Sequence, residues 1–352
     1  MSALEVPALE TVPPSSDAPA ILRIANLTVR YAIDSGDMIT PVDDVSIEIY
    51  PGETLGLVGE SGCGKSTLGR AILRLLRPES GSILFDGQEL VRLEGRALRA
   101  VRRHLQIIFQ DPRGSLDPKM TVGEIVSEPL RVHQLGVKAD RNRAVTEMLD
   151  SVGLDPSYLD RNPTTLSGGQ QQRIGIARAL ITRPKLVVCD EPVSALDLSV
   201  QAQVINLLQD LQRELGVSYL FIAHNLAVVR HLSDRVAVMY LGQIVEQGPA
   251  HQVFARPLHP YTQGLLASVL RTDSEAHDRL NEAQQFVKGD VPSLHDVPTG
   301  CRYNTRCPFA QDRCREERPV LELSEGEHAE DHWVACHFWR DLEGLPKTFR
   351  AR

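Results

Sequence analysis

The sequence predicts an α/β protein: a mainly parallel sheet covered by helices on both faces, an antiparallel β subdomain, an inserted helical subdomain and a small cysteine-containing C-terminal extension. Three observations predict it. Wholly apolar runs such as Leu186-Val187-Val188-Cys189 and Tyr219-Leu220-Phe221-Ile222-Ala223 alternate with amphipathic helical segments, as strands buried on both faces do. Earlier in the chain, apolar residues alternate singly with polar ones, the pattern of a half-buried sheet. Past about Pro249 the periodicity dissolves into short segments rich in Pro, His, Arg and Cys, and a boundary is expected near Arg256.

Taken in order, residues 1–20 read as a disordered tail. They carry Glu5, Glu10 and Asp17, the run Pro13-Pro14-Ser15-Ser16, and no Lys or Arg before Arg23, so they do not form a secretory signal. Leu27, Val29 and Tyr31, then Val45, Ile47 and Ile49, then Ile83 and Phe85 closed by Asp86-Gly87, predict the antiparallel strands. From about Leu98 to Leu180 the pattern becomes helical segments joined by Pro/Gly loops, the expected helical subdomain. The core resumes at Leu186. Val204, Leu207, Leu208, Leu211 and Leu215 mark a helix stopped at Gly216, and Val236, Val238 and Tyr240 mark a further strand.

Composition sets outer bounds. The 352 residues suit one large domain with an appendage, or two domains. A net charge of −8 does not suggest a nucleic-acid-binding surface. No run approaches the roughly 18 apolar residues needed to cross a bilayer, so any membrane role is expected to come through partners.

The chemistry centres on Gly59-Glu60-Ser61-Gly62-Cys63-Gly64-Lys65-Ser66-Thr67, two glycines separated by four residues and followed by Lys and Ser. Thr54-Leu55-Gly56-Leu57-Val58 precedes it as a buried strand, and Leu68, Ala71, Ile72 and Leu75 follow on one helical face. A strand, a glycine loop and a helix N-terminus direct backbone N–H groups and the positive helix end at a polyphosphate. Lys65 then reaches the β- and γ-phosphates and Ser66 ligates Mg²⁺. Asp190, ending an apolar strand, is placed to organise the Mg²⁺, and Glu191 to act as general base on the attacking water. Leu166-Ser167-Gly168-Gly169-Gln170, before a helix, forms a second anion cradle.

With two phosphate cradles in one chain, the sequence resembles the nucleotide-binding subunits of ATP-binding-cassette (ABC) transporters over roughly residues 21–250. In order, it carries a Walker A loop, a Q-loop glutamine at Gln110, the signature at 166–170, Walker B at 186–191, a D-loop at Ser194-Ala195-Leu196-Asp197 and a switch histidine at His224. The resemblance implies the P-loop NTPase fold of an ABC nucleotide-binding domain over 21–255, with its helical subdomain at about 98–180. It implies ATP and Mg²⁺ as ligands and a head-to-tail dimer in which Ser167, Gly168, Gly169, Gln170 and Asp197 serve the partner's ATP. Gln110 then senses the γ-phosphate and joins Ser66 and Asp190 at Mg²⁺, and His224 orients the water with Glu191. Tyr31 is either the aromatic that stacks on adenine or an ordinary half-buried strand residue. Cys63 and Cys189 have no expected chemical role.

Within the family, Phe109-Gln110-Asp111-Pro112-Arg113-Gly114-Ser115-Leu116-Asp117-Pro118-Lys119-Met120 and His259-Pro260-Tyr261-Thr262 are similar to oligopeptide/dipeptide importer ATPases, especially their second ATPase subunit. Asp117 departs from the Asn usual there. The resemblance implies ATP hydrolysis that powers import of peptides. Its implied partners are two transmembrane permeases, a second ATPase subunit and an extracytoplasmic substrate-binding protein, with no nucleic acid. The implied place is the cytoplasmic face of the membrane. Residues around 111–130 are implied to face a permease. The alternatives are an importer of another solute, such as nickel or a glycan, or a soluble ABC protein acting on ribosomes or DNA. A single cassette without a heptad run argues against the last.

The extension, 256–352, carries Cys301, Cys307, Cys314 and Cys336 without paired C-x2-C knuckles. In a chain lacking an export signal, they read as metal ligands in preference to disulfides. A [4Fe–4S] cluster is expected, as the peptide-transporter tail implies, with Zn²⁺ as the alternative. Arg302, Arg306, Arg313 and Arg315 lie among them, either to offset thiolate charge or as a plain solvated face.

Overall fold

The computed structural model describes residues 19–33, 36–267, 292–325 and 331–342. The expected tail lies outside these residues except for its last two.

Strands β1 (Leu22–Ala32) and β2 (Met38–Ile49) pair antiparallel, Leu22 opposite Ile49 and Leu27 opposite Val45. Strand β3 (Thr54–Val58), buried at every residue, leads into helix α1 (Lys65–Ile72), and β4 (Ser80–Phe85) returns antiparallel to β1 beside the short β5 (Gln88–Glu89). The order β2-β1-β4-β5 is the antiparallel subdomain that the alternating pattern predicts.

Helix α2 (Gly95–Arg102) then opens the stretch expected to be helical. That expectation needs one correction: Leu105–Ile108 form a strand, β6, which hydrogen-bonds parallel to the later strand at residues 186–190. Four residues are too short a run for periodicity to separate strand from helix, and sheet pairing decides. Helices α3 (Pro112–Ser115), α4 (Val122–Val132), α5 (Lys138–Ser151) and α6 (Gly168–Leu180) follow. Thr121 starts α4 with a reciprocal capping box to Glu124, which satisfies otherwise orphaned N–H groups.

The core resumes with β7 (Leu186–Asp190), α7 (Leu198–Leu215), β8 (Ser218–Ala223), α8 (Leu226–Leu232) and β9 (Arg235–Tyr240). Helix α7 stops where its sequence predicts, at Gly216 in the left-handed region (φ +65°). Strand β10 (Gln243–Pro249) turns back antiparallel to β9, ahead of α9 (Ala250–Ala255) and α10 (Pro260–Ala267). The extension adds α11 (Asp312–Glu316), β11 (Glu322–Leu323), β12 (Trp333–Val334) and α12 (Trp339–Leu342). Because β12 pairs with β10, extension and cassette share one eight-stranded sheet of order β11-β12-β10-β9-β3-β8-β7-β6.

Alternate residues of the central strands serve two cores. Val187, Cys189, Tyr219 and Phe221 face the helical side, whereas Leu186, Val188, Leu220 and Ile222 face α1 and the antiparallel subdomain. Strands β9, β3, β8, β7 and β6 are parallel neighbours, so their C-terminal ends line up along one edge of the sheet.

Candidate nucleotide site

Four adjacent strand ends deliver the expected site residues. Gly59 follows β3, His224 follows β8, Asp190 ends β7 with Glu191 next, and Gln110 stands two residues after β6. Ligands of open α/β sheets bind outside the carboxyl ends of the strands, and this edge meets that rule.

The phosphate loop is held by geometry that only glycine permits. Gly64, the residue before α1, has φ +109°, and a Cβ there would lie 1.8 Å from the Pro41 carbonyl oxygen. Gly59 has φ +155°, and a Cβ there would lie 2.2 Å from the Met239 oxygen. Lys65 is buried, and its Nζ donates to the carbonyls of Gly59 and Glu60, each at 2.8 Å. The lysine is thereby curled inside its own loop, beside the α1 N-terminus where an anion is stabilised. Ser61 and Gly62 are exposed, Ser66 and Thr67 are half-buried, and Cys63 is buried, with burial pushing its thiol pKa up.

Asp190 accepts a 2.7 Å hydrogen bond from the Ser66 hydroxyl. Burial raises its pKa, and the Ser66 bond opposes that rise. A carboxylate desolvated beside a hydroxyl is a donor set suited to a hard divalent cation, which would restore the ionised form. Glu191 adopts a left-handed backbone (φ +47°) that turns it from the strand toward Gln110 and His224. Gln110 Nε2 donates to Glu191 Oε2 at 2.9 Å, and His224 Nδ1 lies 3.4 Å from the same oxygen. A backbone kept in this sparsely populated region is strain of the kind stored where chemistry is done.

The structure does not bring all predicted residues together. Ser167 and Gln170 form a capping box at the start of α6: Gln170 N–H donates to Ser167 Oγ (3.4 Å) and Ser167 N–H to Gln170 Oε1 (3.0 Å). Gly168 and Gly169 lie against Leu196 and Val200, so the second cradle sits beside the D-loop and the start of α7, where Asp197 is the cap residue. Tyr31 packs, partly buried, on the core of the antiparallel subdomain.

This arrangement identifies the family when set beside known proteins. The chain matches the ABC transporter family over residues 42–194 and the oligopeptide/dipeptide transporter C-terminal region over residues 245–314. It is 50% identical to the oligopeptide transport ATP-binding protein OppF of Escherichia coli over 86% of this chain and 93% of that protein. The chain belongs to the ABC transporter ATPases. It is also 49% identical to the oligopeptide transport ATP-binding protein AppF of Bacillus subtilis, over 91% of this chain and 97% of the relative. A dimeric ABC cassette bound to ADP and phosphate superposes with a TM-score of 0.60 at 29% identity, covering 65% of this chain and 98% of that one. A cassette from Clostridium perfringens that is part of an ABC transporter complex gives 0.61 at 29% identity, over 75% and 99% of the two chains. ATP and Mg²⁺ fit this cassette.

The metal expectation for the extension is corrected. The four cysteines do line one small apolar pocket, with Tyr303, Phe309, Phe338 and Leu342. Yet among the described residues no group of three or more His, Cys, Asp or Glu side chains could hold a metal ion, and these ABC relatives are named for ATP binding and peptide transport. An iron–sulfur cluster is therefore not supported, nor is zinc. The pocket is desolvated: burial pushes the Cys301 thiol up to about 11 and those of Cys307 and Cys336 up to about 12, so these thiols rest protonated among apolar side chains.

The sequence reading missed what stands behind the phosphate loop. Arg306 of the extension, treated above only as a charge near cysteines, donates to both carboxylate oxygens of Glu60, at 2.8 and 3.0 Å. The Glu60 N–H donates to the Tyr261 hydroxyl at 2.9 Å. No sequence signal links residues more than 200 positions apart.

Proposed function

We propose that this chain is the ATP-hydrolysing subunit of an oligopeptide importer, acting at the cytoplasmic face of the membrane. Its implied complex contains two permeases, a second ATPase subunit and an extracytoplasmic substrate-binding protein. One observation carries the reading: the Ser66–Asp190 and Gln110–Glu191–His224 contacts stand at adjacent strand ends beside the curled Lys65, in a chain half identical to oligopeptide transport ATP-binding proteins along most of its length. No described helix is long and apolar enough to cross a membrane, which fits a subunit that works through permeases.

In this reading the reaction is in-line attack of water on the γ-phosphorus of ATP. Backbone N–H groups of residues 59–67 hold the phosphates, and Lys65 leaves its carbonyl partners to neutralise charge as it spreads over the transferring group. Ser66, Asp190 and Gln110 would hold Mg²⁺, which would supply further neutralisation of the phosphate charge. Glu191 takes the proton of the attacking water, with Gln110 and His224 fixing its carboxylate. Ser167, Gly168, Gly169, Gln170 and Asp197 act on the ATP of the partner ATPase, so that ATP closes the pair and hydrolysis releases it. Tyr31 is the adenine-stacking candidate, reached from its strand. Residues 256–352 form the peptide-transporter-type extension.

The test is detergent extraction of the tagged chain from its native membranes, followed by identification of its partners and ATP-driven uptake by the reconstituted complex. Recovery of two multi-spanning permeases and a second ATPase, with uptake of labelled oligopeptides, is the expected result. Recovery with permeases but uptake of nickel or a glycan would overturn the cargo assignment. Recovery with ribosomes or DNA and no permease would overturn transport.

A further inference from the structure

We propose that Arg306 is a positioning residue for the nucleotide site: the turn Cys301–Cys307 of the extension straps the phosphate loop from behind and sets its affinity for ATP. This rests on the ATP-binding reading above. The strap has two attachments. At the first, the Arg306 fork meets the Glu60 carboxylate, with the arginine side chain 4% and the glutamate 20% exposed. Arg306 also donates to the Tyr240 hydroxyl at 3.4 Å. At the second, Arg302 bonds the Leu241 carbonyl and Asp43, while the N–H of the adjacent Gly242 donates to the Cys63 carbonyl of the phosphate loop at 2.8 Å. The extension thus touches the start of the loop directly and its middle through the Leu241-Gly242 turn.

The strap has a stiff base. Tyr240, Tyr261 and Tyr303 are buried and form a ring cluster with centroids 4.6, 5.2 and 5.5 Å apart. The turn itself is closed by hydrogen bonds from the N–H groups of Asn304 to Cys301 O and of Arg306 and Cys307 to Tyr303 O. Tyr261 of this cluster holds the Glu60 backbone while Arg306 holds its side chain. Burial works against the Arg306 cation, but the Glu60 and Tyr240 bonds outweigh it and hold its pKa above the ordinary arginine value.

Glu60 therefore links two tasks. Its carbonyl accepts from Lys65 Nζ, the group assigned to the phosphates, and its N–H and carboxylate are anchored to the extension. A bidentate charge-assisted pair fixes orientation as well as position. Without Arg306, a partly buried Glu60 carboxylate is left without its cation behind the phosphate loop. Both consequences weaken ATP binding: the loop loses pre-organisation, and an unneutralised negative charge is left on the loop that must hold a polyphosphate.

The experiment is a double-mutant cycle on the full-length chain, read by equilibrium binding of a fluorescent ATP analogue, with KM and kcat measured in the assembled transporter. Arg306→Gln is expected to weaken the analogue about tenfold and to raise KM for ATP by a similar factor, with kcat within about twofold. Arg306→Lys, which keeps the charge but not the fork, is expected to recover part of the loss. Arg306→Gln combined with Glu60→Gln is expected to be weakened by less than the product of the two single effects. Unchanged Kd and KM in a folded Arg306→Gln chain, or strictly additive effects, overturn the proposal. Should Arg306→Gln fail to fold, Arg306→Lys and Tyr261→Phe decide: weakened binding in either supports the strap, and unchanged binding in both overturns it. Lys185→Gln, which breaks an exposed ion pair to Asp86, serves as the unaffected control. A wild-type chain that binds no ATP overturns the nucleotide reading itself, an outcome distinct from a strap that does not matter.

Discussion

Acidification should loosen the extension through one histidine. His259 is fully buried, and its Nδ1 accepts a 3.0 Å hydrogen bond from the Tyr261 N–H, which requires that nitrogen to be unprotonated. Burial lowers its pKa to about 4, against an ordinary 6.5, although the neighbouring Glu246 carboxylate pulls the other way. Glu246 is itself held by the N–H groups of Leu258 and His259 and by His332 Nε2, and the Tyr303 ring lies 5.8 Å from His259. The unfolded chain protonates His259 first, so its contribution is fully present above pH 6.5 and is lost progressively as pH falls toward 4. Between pH 7.5 and pH 5 the loss is about 2 kcal/mol. The assay is urea unfolding at both pH values for the wild type and for His259→Asn, whose amide oxygen can accept from Tyr261 without titrating. Burial raises the pKa of the Glu53, Asp190 and Asp234 carboxylates, which act in the opposite sense, but they are common to both proteins and cancel in the difference. The wild type should lose about 2 kcal/mol more than the variant. Parallel pH dependences for the two proteins would refute the reasoning.

Three further outcomes follow from the site and its supports. Glu191→Gln keeps the side-chain volume and an oxygen for the Gln110 amide, so ATP should still bind while turnover falls by about 10²–10⁴; single-turnover hydrolysis in the assembled transporter checks it. Gly64→Ala places a methyl group 1.8 Å from the Pro41 carbonyl oxygen at a φ of +109°, so nucleotide binding should fall by about a hundredfold or more, as titration with labelled ATP would show. Ser218→Ala removes the hydroxyl that accepts from Gly52 N–H (2.9 Å) and donates to the Tyr50 carbonyl (3.1 Å). It should cost about 1–3 kcal/mol in urea unfolding and leave KM for ATP unchanged.

Periodicity and motif spacing were legible where the physics is local. Leu55–Val58 and Leu186–Cys189 are apolar throughout because both faces of a central parallel strand are buried, and both lie in central strands here. The Gly59–Thr67 spacing encodes a backbone shape, and the structure adopts it with Gly62 and Gly64 at positive φ. The strand at Leu105–Ile108 was not legible, since four residues carry too little pattern to be told from a helix. The cysteines mark the opposite failure. Their number and spacing suggested ligands, but reactivity depends on surroundings that spacing does not encode, and the pocket they share is apolar.

Sequence alone determined the α/β class and the shape of the phosphate loop, and it singled out the residues proposed to meet ATP, because each is written in runs of fewer than ten neighbouring residues. Only the tertiary structure decided which of them meet. Adjacent parallel strands carry Asp190 to Ser66 and Gln110 to Glu191. An antiparallel return through β10 brings Arg306 back beneath Glu60 from 246 positions away. Contacts of that separation depend on sheet order and on which face of a strand each residue takes. Those are properties of the packed chain as a whole, and no local pattern carries them.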